Sequence, residues 1–186
     1  MALTPSTMLP LGTPAPEFDL PNVVTGKNVA LRRYAKHTPT LVIFLCRHCP
    51  YVTHVEKELA RLGHDYLGES LRIFAISAND AAAYPDDAPD RLAEWARALD
   101  FPFPVLYDQS QKVARAYRAA CTPDFFLFDS GHRLIYRGQL DGSRPGNGQP
   151  VTGTDLRAAI AAVLAGKPVA GEQRPSMGCN IKWKTA

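Results

Sequence analysis

Five consecutive apolar residues, Leu41-Val42-Ile43-Phe44-Leu45, run directly into Cys46-Arg47-His48-Cys49 and then Pro50. The apolar run reads as a buried strand. Pro50 suits the first turn of a helix, where its missing N–H would have no partner in any case. The helix is expected to continue through Tyr51 to Ala60. At a helix start, residues i and i+3 lie on one face, so the two sulfurs come within bonding distance. The unpaired N–H groups and the positive end of the helix dipole favour a thiolate, and Arg47 and His48 add cationic or hydrogen-bonding character. A lowered thiol pKa is expected at Cys46. A strand, a dithiol and a helix in this order read as a redox site.

The 186-residue length and ordinary apolar content suit one domain over residues 1–170 with a substantial core, and a tail, 171–186, packed on it. The net charge is only +3 and the basic residues are scattered, which gives no nucleic-acid footprint. Met1 to Pro16 has no basic leader followed by an apolar core, and no stretch is long enough to span a bilayer. A cytoplasmic location is therefore expected. Four cysteines in such a chain, two of them as C-x-x-C, point to reversible thiol chemistry rather than structural disulfides.

Phe18-Asp19-Leu20 and Val29-Ala30-Leu31 form a hairpin around Thr25-Gly26-Lys27-Asn28. Leu71 to Ser77 is a second buried strand, and with the intervening helix it makes a βαβ unit and a parallel pair. A polar connection from Asp80 to Asp90 leads to an amphipathic helix with Leu92, Trp95, Ala96 and Leu99 on one face. A strand at Val105-Leu106-Tyr107 and a helix from about Gln111 to Arg118 precede Cys121-Thr122-Pro123-Asp124. Phe125 to Asp129 and Arg133 to Arg137 pair around Ser130-Gly131. A helix then runs from Thr154 to about Ala165, stopped by Gly166 and Pro168, and the segment from Gly171 onward has no clear period.

Taken together, these features resemble the thioredoxin-fold superfamily, in its thiol-specific antioxidant and alkyl hydroperoxide reductase (AhpC/TSA)-like branch. Gly12-Thr13-Pro14-Ala15-Pro16-Glu17-Phe18-Asp19-Leu20 is similar to that branch's opening pattern, and Thr122-Pro123 to its cis-proline loop facing the dithiol. Cys46 to Val52, Thr122 to Asp129 and Gly178 to Lys184 further resemble a thioredoxin-like subgroup with a Cys-x-His-Cys-Pro motif. The resemblance implies an α/β thioredoxin-like fold: a central mixed β-sheet flanked by helices, with an N-terminal hairpin extension. Leu45 stands where thioredoxins carry Trp, and Arg47-His48 where they carry Gly-Pro. In the peroxiredoxin pattern the peroxide-reacting cysteine matches Cys49, the Thr matches Cys46 and the Pro matches Val42. The Thr hydroxyl and the Pro that shape a peroxide pocket are thus absent.

The expected function is thiol–disulfide exchange without cofactor or metal. Cys46 attacks the disulfide of a protein or small molecule, Cys49 resolves the mixed disulfide, and a thiol reductant recycles the pair. The alternatives are a peroxiredoxin-like thiol peroxidase, and a sensor or binding module whose dithiol switches a surface or holds zinc. Arg47 and His48 either tune the thiolate or are solvated turn residues. Thr122 and a cis Pro123 would offer an edge on which an extended substrate pairs, whereas a trans Pro123 would merely open a strand. Cys121 and Cys179 are either auxiliary redox thiols or, respectively, a small buried residue and an unpaired tail thiol. Thioredoxins place a buried Asp six residues before the first cysteine, at Thr40 here, so Glu56 or Asp124 would have to supply the proton carrier. His37, His54, His64 and His132 have no convincing metal-ligand spacing.

Overall fold

The computed structural model describes residues 3–33, 38–68, 71–169 and 171–185; His37 lies outside them. A short strand β1 (Leu3–Pro5) comes first, then β2 (Asp19–Pro21) and β3 (Asn28–Ala30), which pair antiparallel as the expected hairpin. Strand β4 (Thr40–Phe44) leads to helix α1 (Pro50–Asp65), followed by β5 (Arg72–Ser77) and α2 (Pro89–Ala98). Next come β6 (Val105–Tyr107), α3 (Lys112–Ala116), β7 (Cys121–Thr122), β8 (Asp124–Phe128) and β9 (Leu134–Gly138). Helix α4 (Thr154–Leu164) and strand β10 (Met177–Asn180) complete the chain.

The main sheet has the order β6-β5-β4-β8-β9, with β4, β5 and β6 parallel and β8 and β9 antiparallel to their neighbours. The expected mixed sheet flanked by helices is what the chain forms. Every residue of β4 is buried because the strand is central and covered on both faces. On one side Leu41, Ile43 and Leu45 meet Val52, Val55, Leu59 and Leu62 of α1, with Leu156 and Ile160 of α4. On the other, Val42 and Phe44 meet Leu20, Val29 and Tyr117. Arg157 of α4 donates from Nε to the buried Glu58 Oε1 at 2.8 Å and so ties α4 to α1.

Tyr117 is fully buried against Phe44, Phe126 and Phe128, and its hydroxyl donates to Pro16 O at 2.9 Å. Tyr117→Phe keeps the ring packing but leaves that carbonyl without its partner. It should lower unfolding free energy by about 1 kcal/mol in chemical denaturation.

The tail was expected without regular structure, and the Pro-rich lead without a strand. Instead β10 lies between β1 and β7 in a second sheet, antiparallel to both. Its strands are two to four residues long, too short to carry a readable alternation, and they are held by pairing rather than by their own pattern. No helix among the described residues is long and apolar enough to cross a membrane.

Candidate active site

The dithiol occupies the carboxyl end of β4, where the chain leaves the sheet and turns into α1. Cys49 is the residue before the first helical turn, its backbone extended at φ −81°, and its carbonyl accepts from Val52 N and Thr53 N, both at 3.0 Å. Pro50 follows at the first helical position, as the sequence implies. Both thiols are almost wholly buried, Cys46 at 1% and Cys49 at 0% exposure.

Across from them the Thr122–Pro123 peptide bond is cis. Thr122 Oγ1 lies 3.2 Å from Cys46 Sγ, and Thr122 O lies 3.2 Å from Cys49 Sγ. Cys121 is buried but points to the other side of β7, because neighbouring residues of a strand face opposite ways. Its sulfur lies 3.6 Å from Pro123 O and 4.0 Å from Ser176 O.

The edge that a substrate was expected to use is already taken. β10 pairs with β7 in the register Cys179↔Thr122 and Asn180↔Cys121. Cys179 consequently falls on the dithiol side, 3% exposed, in the same core cluster as Cys49, where its thiol and backbone N–H help to lower the Cys49 pKa. Gly178 makes this approach possible. A Cβ there would stand 2.0 Å from Thr122 O.

These contacts move the two thiol pKa values in opposite directions. The Cys49 pKa is lowered to about 5, first by the hydrogen bond from Cys46, with burial opposing and Cys179 and Thr122 assisting. Cys46 is pushed well above its usual value by its hydrogen bond to Cys49, by burial and by the charge of Asp87. The Thr122 carbonyl works against an ionised Cys49, but the surrounding thiol, hydroxyl and backbone donors and the positive end of α1 outweigh one oxygen. The lowered thiol is thus Cys49, not Cys46 as the local helix argument expects. Cys179, in turn, is pushed up to about 12 by burial and by its hydrogen bond to Cys49.

Asp87 is the residue the sequence reading missed. It is fully buried in a short helical turn over Pro85–Asp87, one of four aspartates between positions 80 and 90, and nothing local marks it as the inward one. Oδ1 accepts from Arg47 N at 2.8 Å and His48 N at 3.4 Å, and Oδ2 accepts from His48 Nδ1 at 2.5 Å and Asn79 Nδ2 at 2.8 Å. The His48 ring stacks on Tyr84 with centroids 5.1 Å apart. Arg47 reaches outward to Asp86 at 3.4 Å, so it is its backbone N–H that shapes the loop.

Asp87→Asn removes the charge beside Cys46 and weakens the acceptor set. It should lower stability by about 2 kcal/mol in denaturant titration. It should also bring the second thiol ionisation to lower pH in a thiolate absorbance titration, because the repulsion from Asp87 is gone.

The substitutes for the missing buried Asp lie elsewhere. Glu56 accepts from Trp95 Nε1 at 2.9 Å and so joins α1 to α2. Asp124 is buried and its pKa is raised to about 7 by desolvation, but Phe125 and Leu127 share the dithiol's side of β8, which puts Asp124 on the opposite face. Cys46, His48 and Asp87 each bring a ligand atom within 4.8 Å of the others, yet Asp87 is already occupied by His48 and two backbone N–H groups. His54 and His64 are engaged by Ser143 at 2.7 Å and Asp100 at 3.1 Å. A cleft of about 430 Å3 lined by Gly63, Leu71, Phe74 and Pro102–Pro104 lies at the amino ends of β5 and β6, away from the thiols.

A model of the AhpC/TSA family matches residues 11–137, more than half of the chain. The protein belongs to the AhpC/TSA family. This AhpC/TSA chain is similar to an uncharacterised conserved protein from Geobacillus kaustophilus, with 50% identity, a TM-score of 0.98, and 100% of this chain and 98% of that one covered. It is also similar to a hypothetical protein from Sinorhizobium meliloti 1021, with 47% identity, a TM-score of 0.96, and 98% and 100% covered. A thiol:disulfide interchange protein DsbE from Chlorobium tepidum, described as putative, shares the fold at 20% identity and a TM-score of 0.66, with 84% and 99% covered. No curated protein matches the chain. AhpC/TSA membership and the thioredoxin-like fold support a thiol-based redox function.

Proposed function

We propose that this AhpC/TSA chain is a thiol–disulfide oxidoreductase that works through Cys46 and Cys49 with no bound cofactor. The observation that carries the reading is the pair of buried thiols at the start of α1 facing the cis Thr122–Pro123 peptide, with Cys46 Sγ 3.2 Å from Thr122 Oγ1 and Cys49 Sγ 3.2 Å from Thr122 O. The Cys49 thiolate attacks a substrate disulfide and releases one thiolate. Cys46, giving up its proton, then attacks the Cys49 sulfur, and the Cys46–Cys49 disulfide forms as the second substrate thiol leaves. This reading exchanges the roles relative to the sequence expectation, on the ground that the Cys49 pKa is the one lowered and the Cys46 pKa the one raised. A thiol reductant completes the cycle. Since β10 fills the pairing edge, the substrate is a small or flexible disulfide that does not need that edge.

One observation favours a second reading, a thiol peroxidase. Cys46 stands where the peroxiredoxin pattern has Thr, and its hydrogen bond to Cys49 supplies a donor at the reacting sulfur in place of that hydroxyl. Stopped-flow rates of the fully reduced protein with glutathione disulfide, insulin and stoichiometric hydrogen peroxide separate the two. We expect ready reaction with glutathione disulfide and peroxide consumption no faster than by a free low-pKa thiol. Peroxide consumption orders of magnitude faster would replace the exchange reading by the peroxidase one.

A further inference from the structure

Cys179 has no part in the two-cysteine exchange, yet the fold spends a whole strand on placing it. Ser6 N donates to Ser176 O at 2.8 Å, Ser176 Oγ to Pro123 O at 2.6 Å and Ile181 N to Ala120 O at 3.1 Å. Further along, Lys182 N donates to Asn79 Oδ1 at 2.8 Å, and Asn79 also donates to Asp87. Gln111 accepts from Lys184 N at 2.9 Å and donates to Lys182 O at 2.9 Å, and Arg115 lies over the Trp183 ring at 4.4 Å. The segment from 176 to 184 is thus anchored on both sides of Cys179. Its register with Thr122 aims the sulfur at Cys49, while Cys121 is aimed away.

We propose that Cys179 is a third redox thiol, and that the disulfide formed at Cys46 and Cys49 is passed on to a Cys49–Cys179 disulfide. The proposal rests on the exchange reading above, which supplies the oxidising equivalents from a substrate disulfide. The Cys179 thiolate attacks the Cys49 sulfur. The Cys49–Cys179 bond forms, the Cys46–Cys49 bond breaks, and its electron pair leaves on the Cys46 sulfur, which takes up the proton that Cys179 lost. One disulfide and one thiol are present before and after, so no further oxidant or reductant enters. The fixed strand provides the orientation that makes such a step effectively unimolecular. In the reduced state Cys179 donates its S–H to the Cys49 thiolate; once Cys49 is in a disulfide that hold is released, although burial still opposes ionisation. The relay returns Cys46 to the thiol state and leaves oxidation stored under β10.

The test is disulfide mapping of the full chain after one equivalent of glutathione disulfide, alkylation of free thiols and non-reducing digestion. In the wild-type protein we expect a peptide pair linked through Cys49 and Cys179 beside the Cys46–Cys49 form. The Cys46→Ala protein should lose two hydrogens and keep no glutathionyl group, because Cys179 resolves the adduct on Cys49. In the protein carrying both Cys46→Ala and Cys179→Ala the adduct should persist. A glutathionyl group retained on Cys49 in the single variant, together with a wild-type map free of the Cys49–Cys179 pair, would overturn the relay while leaving exchange intact. If the wild-type thiols do not react with glutathione disulfide at all, the exchange reading falls and the relay with it.

Discussion

Cys49→Ser should abolish disulfide exchange and remove the thiol titration centred near pH 5. With its pKa lowered to about 5, Cys49 is almost fully ionised at neutral pH, whereas an ordinary thiol is only about 3% ionised. That gain does not translate into a proportionate rate of attack, because nucleophilicity falls as basicity falls. The larger effects are on leaving and on poise: Cys49 departs readily from a disulfide, and its thiolate stabilises the reduced protein. From the ordinary thiol range down to about 5, that stabilisation at pH 7 is about 3 kcal/mol, which corresponds to roughly 60 mV toward a stronger oxidant.

The sign with pH follows from counting protons. Below pH 5 reduction takes up two protons per two electrons, and the potential should fall by about 59 mV per pH unit. Above pH 5 reduction takes up one proton, since Cys49 stays ionised while Cys46 does not, and the slope should halve to about 30 mV. Equilibration against a glutathione buffer over a pH series reads both slopes. A slope that stays near 59 mV through neutrality would mean that no thiolate rests on Cys49.

Gly178→Ala should expose the dithiol and destabilise the fold. The added Cβ would meet Thr122 O at 2.0 Å and Thr122 C at 2.6 Å, both backbone atoms that cannot swing aside as a flexible side chain would. Either β10 lifts from β7 or the cis Thr122–Pro123 segment shifts. Both outcomes disrupt the seal over Cys46 and Cys49 and the approach of Cys179. The loss of pairing and of buried contacts should amount to at least about 3 kcal/mol, as for other severe overpacking. Iodoacetamide should label the active-site thiols much faster than in the wild-type protein, and the rate together with denaturant midpoints measures the effect. Unchanged labelling and stability would mean that β10 does not lie against β7 in this register.

Much of the scaffold was legible in one dimension. The apolar run at Leu41–Leu45 became the central strand β4 because a strand covered on both faces needs no polar alternation. Pro50 marked the start of α1, and the Thr25–Asn28 and Ser130–Gly131 turns announced the hairpins. Thr122-Pro123 was placed opposite the dithiol by resemblance, and it lies there in the cis form. The missed parts share a cause. β1 and β10 are short and carry no period of their own, and Asp87 is one acid in a stretch with several. A residue's burial and partners depend on segments far away in the chain, which local pattern cannot report.

The electrostatics divide the same way. Local reasoning expected a thiolate at the end of a strand and the start of a helix, because the dipole and free N–H groups are properties of that local geometry. It put that thiolate on Cys46, whereas the lowered pKa falls on Cys49. That choice required Asp87 to come against Cys46 and Cys179 against Cys49, contacts made by segments about 40 and 130 residues further along the sequence. The dithiol, the strand and the helix were written into the order of the residues. The closed edge and the third thiol came into being only when β7 and β10 paired, and the buried acid only when Asp87 met the Arg47–His48 backbone, since hydrogen bonds between distant segments, rather than any local preference, hold them in place.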